Sequence, residues 1–453
     1  MATEVLQSSS PAIEIGPPKI RHFLLLGLAV LLTSAHFLRS GAPALLMVAL
    51  LCPLLLLSRK RWTLRAVQLL LLGAAAEWVV TGMSFVRARA LTGSPYTRLA
   101  IIFSLVTLVM LAAAWVLQSK RVVQHFSRAL ESASVSTGAF ALTAILLTFV
   151  KLKVSFPMLL IDRFLPGWGW LELVLLACYA AIVAEAMTQK KKRAKWRGRI
   201  WQLFSFVFFA QLLLGLAGAE RFLQTGVLHL PVPALIVGGP IYRGEGYFML
   251  VLFFSTVALV GPAWCSHLCY IGAWDHTMAT RQKRPSEMPK WRRWGRFFAL
   301  GLVALTALGL RLAGISGPVA LGFAVVFGLT GIGLMGTWSR KRGVMTHCTT
   351  YCPIGLLATR AGKLNPFRIR IDKNTCTSCM ACTKACRFDA LSKSDVEKGK
   401  PGMACTLCGD CLPRCHSSAL SYRFPGLQGP KANVLFIILI VSLHATFLAV
   451  ARI

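Results

Sequence analysis

Charged side chains are scarce in this 453-residue sequence: Asp, Glu, Lys and Arg together make up 15%, against 56% hydrophobic residues. An average soluble domain is about 25% charged and about 45–50% apolar, so the shortage excludes a soluble globular enzyme. Carboxylates are scarcest, with 16 Asp and Glu against 50 Lys and Arg, a formal net charge of +34. In a soluble chain that imbalance would point to nucleic acid. Here the bases sit in short clusters between apolar runs, the pattern of loops retained on the cytoplasmic side of a membrane, and nucleic acid is not expected as a partner. Long polar stretches are also few, which excludes disorder over most of the length.

What is present in quantity is apolar sequence. A span needs about 20 mostly apolar residues. Eleven candidates occur, at 22–38, 42–57, 66–86, 98–118, 136–150, 168–188, 200–220, 246–264, 296–315, 317–337 and 433–451, the second and fifth being short. With the N-terminus inside, the basic clusters at 58–65, 119–128, 189–199, 281–295 and 338–347 all fall on one side, as the positive-inside rule requires. The polar, cysteine-rich stretch 366–424 follows a cytoplasmic end, so it is expected to be a cytoplasmic domain, with the C-terminus outside. The expected architecture is an all-α polytopic membrane protein of about eleven transmembrane helices with a small cytoplasmic α+β domain. Its expected divisions are a six-helix region at 1–190, a four-helix core at 200–365, the cysteine-rich domain at 366–424 and a last helix at 433–453.

Of 14 cysteines, Cys52 and Cys178 lie inside apolar runs and the other twelve form four tight groups. Cys376, Cys379, Cys382 and Cys386 read C-x2-C-x2-C-x3-C, and Cys405, Cys408, Cys411 and Cys415 repeat the spacing. This is the bacterial ferredoxin pattern for two [4Fe–4S] clusters, in which the fourth cysteine of each run serves the other cluster. Cys376, Cys379, Cys382 and Cys415 are therefore expected to hold one cluster, and Cys405, Cys408, Cys411 and Cys386 the second. The fourth cysteine is expected at the start of a helix. The usual following proline is missing, with Arg387 and His416 in its place. Structural zinc fits two full repeats poorly, and disulfides are disfavoured in a cytoplasmic domain. The domain holds ten Lys and Arg against five Asp and Glu, which suits either an acidic electron carrier or anionic lipid headgroups.

Two further pairs, Cys265/Cys269 and Cys348/Cys352, are both C-x3-C and fall at cytoplasmic ends of spans. Positions i and i+4 share a helix face, so two pairs at one depth offer four thiolates to a third metal centre, of the Fe–S kind on this reading; thiol or copper chemistry and simple packing are the competing readings.

These motifs together resemble the NapH/NosR/CcoG group of membrane polyferredoxins. The resemblance covers about residues 200–424, and CysThrThrTyrCysPro at 348–353 matches the family motif, whereas Tyr270 replaces proline in the first copy. It implies a membrane iron–sulfur subunit in the bacterial inner membrane that passes electrons between the quinone pool and other redox subunits. Copper handling in oxidase assembly, known for CcoG-like members, is the alternative of another class, and a redox-sensing membrane protein is a third. Residues 1–190 have no counterpart in NapH.

Ionisable residues in membrane segments are functional candidates. Glu77 lies within the third span, as a quinone or proton site or one half of an ion pair. Glu172 and Glu185 lie toward the two ends of the sixth, Glu185 beside a basic cluster. The Pro- and Gly-rich outer segment 229–247 reads as too broken for a helix and too apolar for a free loop, so it is expected to fold back and either roof a quinone pocket or plug the structure. His229, Tyr242, Arg243 and Glu245 are its polar groups. His36 and His444 are the pair available for a haem, which is not expected because no second pair is present.

Overall fold

The computed structural model describes residues 21–126, 130–222, 230–289 and 291–450. The chain separates into two compact units, Met1–Thr137 and Gly138–Ile453. Among the described residues, nine helices are long and apolar enough to cross a membrane, and two shorter apolar helices, Phe23–Arg39 and Pro43–Ser58, precede them. These eleven follow the apolar runs of the sequence. The protein is mostly helical.

In the first unit, helix Arg61–Leu91 packs against Thr97–Val116 and Arg21–Arg39 against both Pro43–Leu51 and Thr97–Val116. The core is aliphatic, with Leu64, Val67, Met110, Ala113 and Leu117 buried. Outward-facing Leu, Val and Phe side chains such as Val80, Phe85, Ile101 and Leu105 are exposed, as expected of helices whose other solvent is lipid.

The second unit begins earlier than the boundary near 190 read from the sequence. The reason is packing: helix Gly169–Thr188 lies along the last helix, Pro430–Ala449. Tyr179 Oη and His444 Nε2 are 3.0 Å apart, and Ser442 Oγ donates to the Ala139 carbonyl at 3.2 Å. Polar contacts of this kind hold membrane helices together where apolar burial gives no preference over lipid.

The cysteine-rich domain carries a three-stranded antiparallel sheet in the order β1 (Arg368–Ile371), β2 (Leu420–Phe424), β3 (Leu427–Gln428), with Ile369 opposite Tyr422. Its inner face rests on the first turns of the last helix. The Tyr422 ring stacks on Phe436 with centroids 4.5 Å apart, and Phe367 meets the same ring edge-on at 5.5 Å. The sheet therefore brackets both cysteine runs and seats them against the helices.

The Pro- and Gly-rich segment after residue 229 differs from its sequence reading. It contains a nine-residue helix, Leu235–Arg243, with Pro240 inside it, ending at Gly244 in the left-handed region with φ 79°. A helix this short sacrifices few hydrogen bonds to one proline. His229 lies outside the described residues.

Candidate metal centres

The two ferredoxin-type runs have the same backbone, repeated 29 residues apart. Ser378, Met380 and Asp389 in the first run, and Leu407, Gly409 and Ser418 in the second, all have positive φ. Five of these six are not glycine, and L-residues resist that conformation, so the surroundings impose it. Turning the chain left-handed between cysteines aims successive amide N–H groups inward, the arrangement that binds anionic clusters. In each run the fourth cysteine does not open a helix as the sequence suggested. Cys386 and Cys415 instead close short 3-10 turns, Thr383–Ala385 and Leu412–Arg414, in extended conformation. An extended residue turns its side chain away from its own loop.

The thiols group accordingly. Burial pushes the Cys382 thiol up, and the nearby Cys415 and Cys376 add to it. Burial also pushes Cys386 up to about 12, with Cys405 contributing and the Ala390 N–H opposing. That N–H donates to Cys386 Sγ at 3.2 Å. Cys411 is raised by burial first and then by Cys408, Cys386 and Cys405. Each fourth cysteine thus sits beside the other run. The exposed Cys379 is lowered by the Ala381 N–H. Buried thiols this reluctant to ionise become thiolates when iron takes the charge, and the donor set suits Fe–S clusters.

The two C-x3-C pairs do not lie on continuous helices. Cys265 is in helix Trp264–His267, and the chain then turns so that Cys269, extended at ψ 115°, caps helix Tyr270–Ala279. The second copy repeats this: Cys348 lies in the π-helical turn His347–Tyr351, and Cys352, at ψ 116°, caps helix Pro353–Ala361. The reason is local. Proline at position 353 is suited to a first helical position and forces the residue before it to be extended; in the first copy Tyr270 has no such restriction and is fixed by stacking on Phe208 at 4.0 Å. Both capping thiols sit at helix N-termini. The Gly355 N–H reaches Cys352 Sγ at 3.4 Å. Gly272 and Ile271 supply the same amides to Cys269, whose thiol burial nonetheless raises to about 12.

The structure brings the two pairs together. Cys265 has Cys269, Cys352 and the Arg296 guanidinium as electrostatic neighbours, and Cys348 is raised by burial and then by Asp275, Cys352, Cys269 and Cys265. Asp275 is fully buried and accepts from the Cys348 N–H at 2.9 Å; desolvation pushes its carboxyl up to about 6. Arg296 donates to the Gly355 carbonyl at 3.1 Å. Close backbone approach requires the glycines: a Cβ on Gly272 would lie 3.0 Å from the Cys265 carbonyl oxygen, and one on Gly355 would lie 2.9 Å from that of Cys348. Gly355→Ala is expected to cost about 1–3 kcal/mol through overpacking, read by thermal unfolding. Gly301→Ala, with nothing within 4 Å, is the control; equal behaviour of the two would remove the argument.

Among the described residues, no group of three or more His, Cys, Asp or Glu is placed to hold a single metal ion. A tetrahedral ion with metal–sulfur bonds of about 2.3 Å draws its sulfurs to about 3.8 Å of each other.

A shared core joins the groups. Trp201, Ala273, Ala279, Met345, Phe388 and Ala390 form one buried apolar cluster, and Cys348, Cys386, Cys405 and Cys408 pack against it. Arg197, wholly buried, donates to both oxygens of Asp410, at 2.9 and 2.5 Å, and to the Ser266 carbonyl at 3.1 Å. It therefore links the loop of Cys408 and Cys411 to the chain between Cys265 and Cys269. One turn away, Arg193 bonds Asn433 Oδ1 at 2.6 Å and lies 4.9 Å over the Tyr422 ring. Arg292 pairs with Asp389, and Arg387 donates to the Gly343 and Gln282 carbonyls, both at 2.8 Å. Sequence reasoning read Arg193, Arg197 and Arg292 only as topology signals and Arg387 only as a replacement for proline and part of the domain's basic charge. Asp410, an isolated acid inside the second cysteine run, and Asp389, three residues past the first, were the available clue.

The other expected candidates lie elsewhere. Glu77 is half-exposed, accepts from Thr81 Oγ1 at 3.2 Å and lies 3.7 Å from His36 Nε2. The His36 ring packs on Trp78, whereas His444 contacts Tyr179 and Phe204. Glu172 accepts from the Ile161 N–H at 2.8 Å. Tyr242 donates to the Ile315 carbonyl at 2.7 Å, and Arg243 wraps Gly239 and Gly246.

Two family models describing a 4Fe-4S binding domain match the chain. One covers residues 242–286, which contain Cys265 and Cys269; the other covers 369–392, which contain the first ferredoxin-type run. A candidate electron transport protein of Escherichia coli (strain K12), YccM, is 24% identical over 48% of this chain and 66% of its own length. An uncharacterized protein of Methanocaldococcus jannaschii is 27% identical over 17% of this chain and 30% of its own length. The chain thus spans less than two thirds of each relative. No solved structure matches. The chain carries 4Fe–4S binding domains that support two [4Fe–4S] clusters, together with helices long and apolar enough to cross a membrane.

Proposed function

We propose that this protein is a membrane subunit passing electrons between the quinone pool and a redox partner, with Cys265, Cys269, Cys348 and Cys352 holding a third Fe–S centre. One observation carries the reading: the four C-x3-C thiols are electrostatic neighbours of one another, and one of them, Cys348, packs on the same buried core as Cys386, Cys405 and Cys408. Bound clusters supply one-electron relay chemistry. The residues of the chain hold and tune that relay. Cys376, Cys379, Cys382 and Cys415 hold the outer cluster, and Cys405, Cys408, Cys411 and Cys386 the inner one. Arg296 offsets thiolate charge at the membrane-end site, and Asp275 and the Gly355 N–H fix its sulfur-bearing loops. The outer cluster, with the exposed Cys379, faces the exchange partner, which the basic surface suits if that partner is an acidic carrier.

The proposed setting is the bacterial inner membrane, with the N-terminus and ferredoxin-type domain in the cytoplasm and the C-terminus in the periplasm. The nearest functional class is the NapH-type polyferredoxin. The protein should be purified without oxygen and its iron and acid-labile sulfide counted per chain. Two cubanes give about eight irons and a third centre about ten to twelve, and Cys348→Ser should return the count to about eight. A wild-type count of about eight, unchanged by Cys348→Ser, overturns the third centre; copper bound at those thiols would favour metal handling.

A further inference from the structure

We infer that the headgroup of a lipid-soluble quinone binds in an apolar cavity walled by Leu230–Ala234, Trp274, Phe327–Leu329, Ile332, His347 and Cys352, with the His347 ring as its hydrogen-bond partner. This deepens the proposed function and rests on it, because it names where that carrier meets the chain.

The cavity measures ≈ 160 Å³ and its walls are almost wholly carbon. An apolar protein cavity of about 150 Å³ takes up benzene, so the space suits one substituted ring. The ring would not be bare. His347 is 6% exposed, lines the cavity, and neither of its ring nitrogens has a hydrogen-bond partner. Two unpaired nitrogens on one buried imidazole are costly, and a ligand carbonyl or hydroxyl would satisfy one. Gly331 makes room for that ring: a Cβ there would lie 2.8 Å from His347 Nδ1. The Tyr351 ring, stacked on Phe327 at 4.5 Å, backs it.

Access and destination are both present. Val325, Leu329 and Ile332 on the cavity wall are exposed side chains of the spanning segment Gly317–Arg342, so an apolar tail can leave between them into lipid. Cys352 and Pro353 also line the cavity, which sets the ring against one of the four thiols of the membrane-end site. The segment 230–234 packs on that span, since a Cβ on Gly328 would meet Val232 at 2.9 Å. The polar residues Tyr242, Arg243 and Glu245 do not line the cavity.

The test uses the full-length holoprotein in phosphatidylethanolamine/phosphatidylglycerol nanodiscs and a photoreactive azido-benzoquinone with a decyl tail. After illumination, label is expected on peptides containing 271–274, 325–335 and 347–353, and excess unlabelled decyl-benzoquinone should abolish it. Ala234→Phe, which fills the cavity, should cut labelling about tenfold or more while the EPR of the reduced ferredoxin-type clusters shows that the protein is folded. His347→Phe should weaken binding about tenfold, the scale of one buried hydrogen bond, and His347→Gln should restore part of it. Label scattered over the lipid-facing helices, or label unaffected by Ala234→Phe, overturns the site. Binding unchanged in His347→Phe overturns the role of the imidazole. The iron count is independent of all these outcomes: a third centre without cavity labelling sinks this inference alone, and cavity labelling with only about eight irons sinks the centre alone.

Discussion

Replacing Arg197 by methionine is expected to destabilise the protein by about 3–5 kcal/mol, the cost of removing one partner from a buried ion pair. Its guanidinium is fully buried and the Asp410 carboxylate is 13% exposed. Both carboxylate oxygens are engaged, so the substitution leaves a buried negative charge beside Cys408 and removes the donor to the Ser266 carbonyl. Packing is lost as well, because the guanidinium lies 5.2 Å over the Trp201 ring of the shared core. The measurement is thermal unfolding followed by loss of cluster absorbance. Arg199→Met, exposed two residues later, should stay within about 0.5 kcal/mol of wild type. Adding Asp410→Leu to Arg197→Met should recover part of the loss, since apolar replacement of both partners is often tolerated. If Arg197→Met and Arg199→Met behave alike, the pair does not seat the ferredoxin-type domain.

The second large effect concerns which cysteines act together. Cys415 is expected to belong with Cys376 and Cys382, near which the structure places it, and not with the run that contains it. Cys415→Ser and Cys376→Ser should then each remove the same cluster, about four irons, and the double variant should lose no more than either single. Cys415→Ser with Cys408→Ser should lose about eight, because two clusters are struck. Ligation within each run predicts the reverse pattern, with the Cys415/Cys408 double variant losing only about four. Iron and sulfide counts on anaerobic protein decide it, and circular dichroism of each variant shows whether the helices remain.

Much of the site could be read in advance because its chemistry depends on spacing. Twelve cysteines in two repeated spacings announce metal thiolate loops wherever the chain folds, since the reach from one thiol to the next is set by two or three intervening residues. The eleven apolar runs are equally local: the bilayer demands length and apolarity of each segment separately. Helical spacing misled at the C-x3-C pairs, where capping at Cys269 and Cys352 breaks the helix between the two cysteines. At 229–247 the Pro- and Gly-rich composition hid the short helix Leu235–Arg243, and the apolar Leu230–Ala234 before it line a cavity.

What the sequence by itself determined is the class of the protein: apolar helices long enough to span a membrane, basic clusters between them and iron–sulfur loops, each a property of short stretches of chain. Tertiary structure alone decided that Cys265 and Cys348, 83 residues apart, meet in one site, and that Arg197 serves Asp410 across 213 positions. It alone decided that His347 faces an apolar cavity without a partner. Contacts of that separation leave no periodic trace, because they depend on where packed helices and a small sheet carry distant residues, and only the assembled core states that.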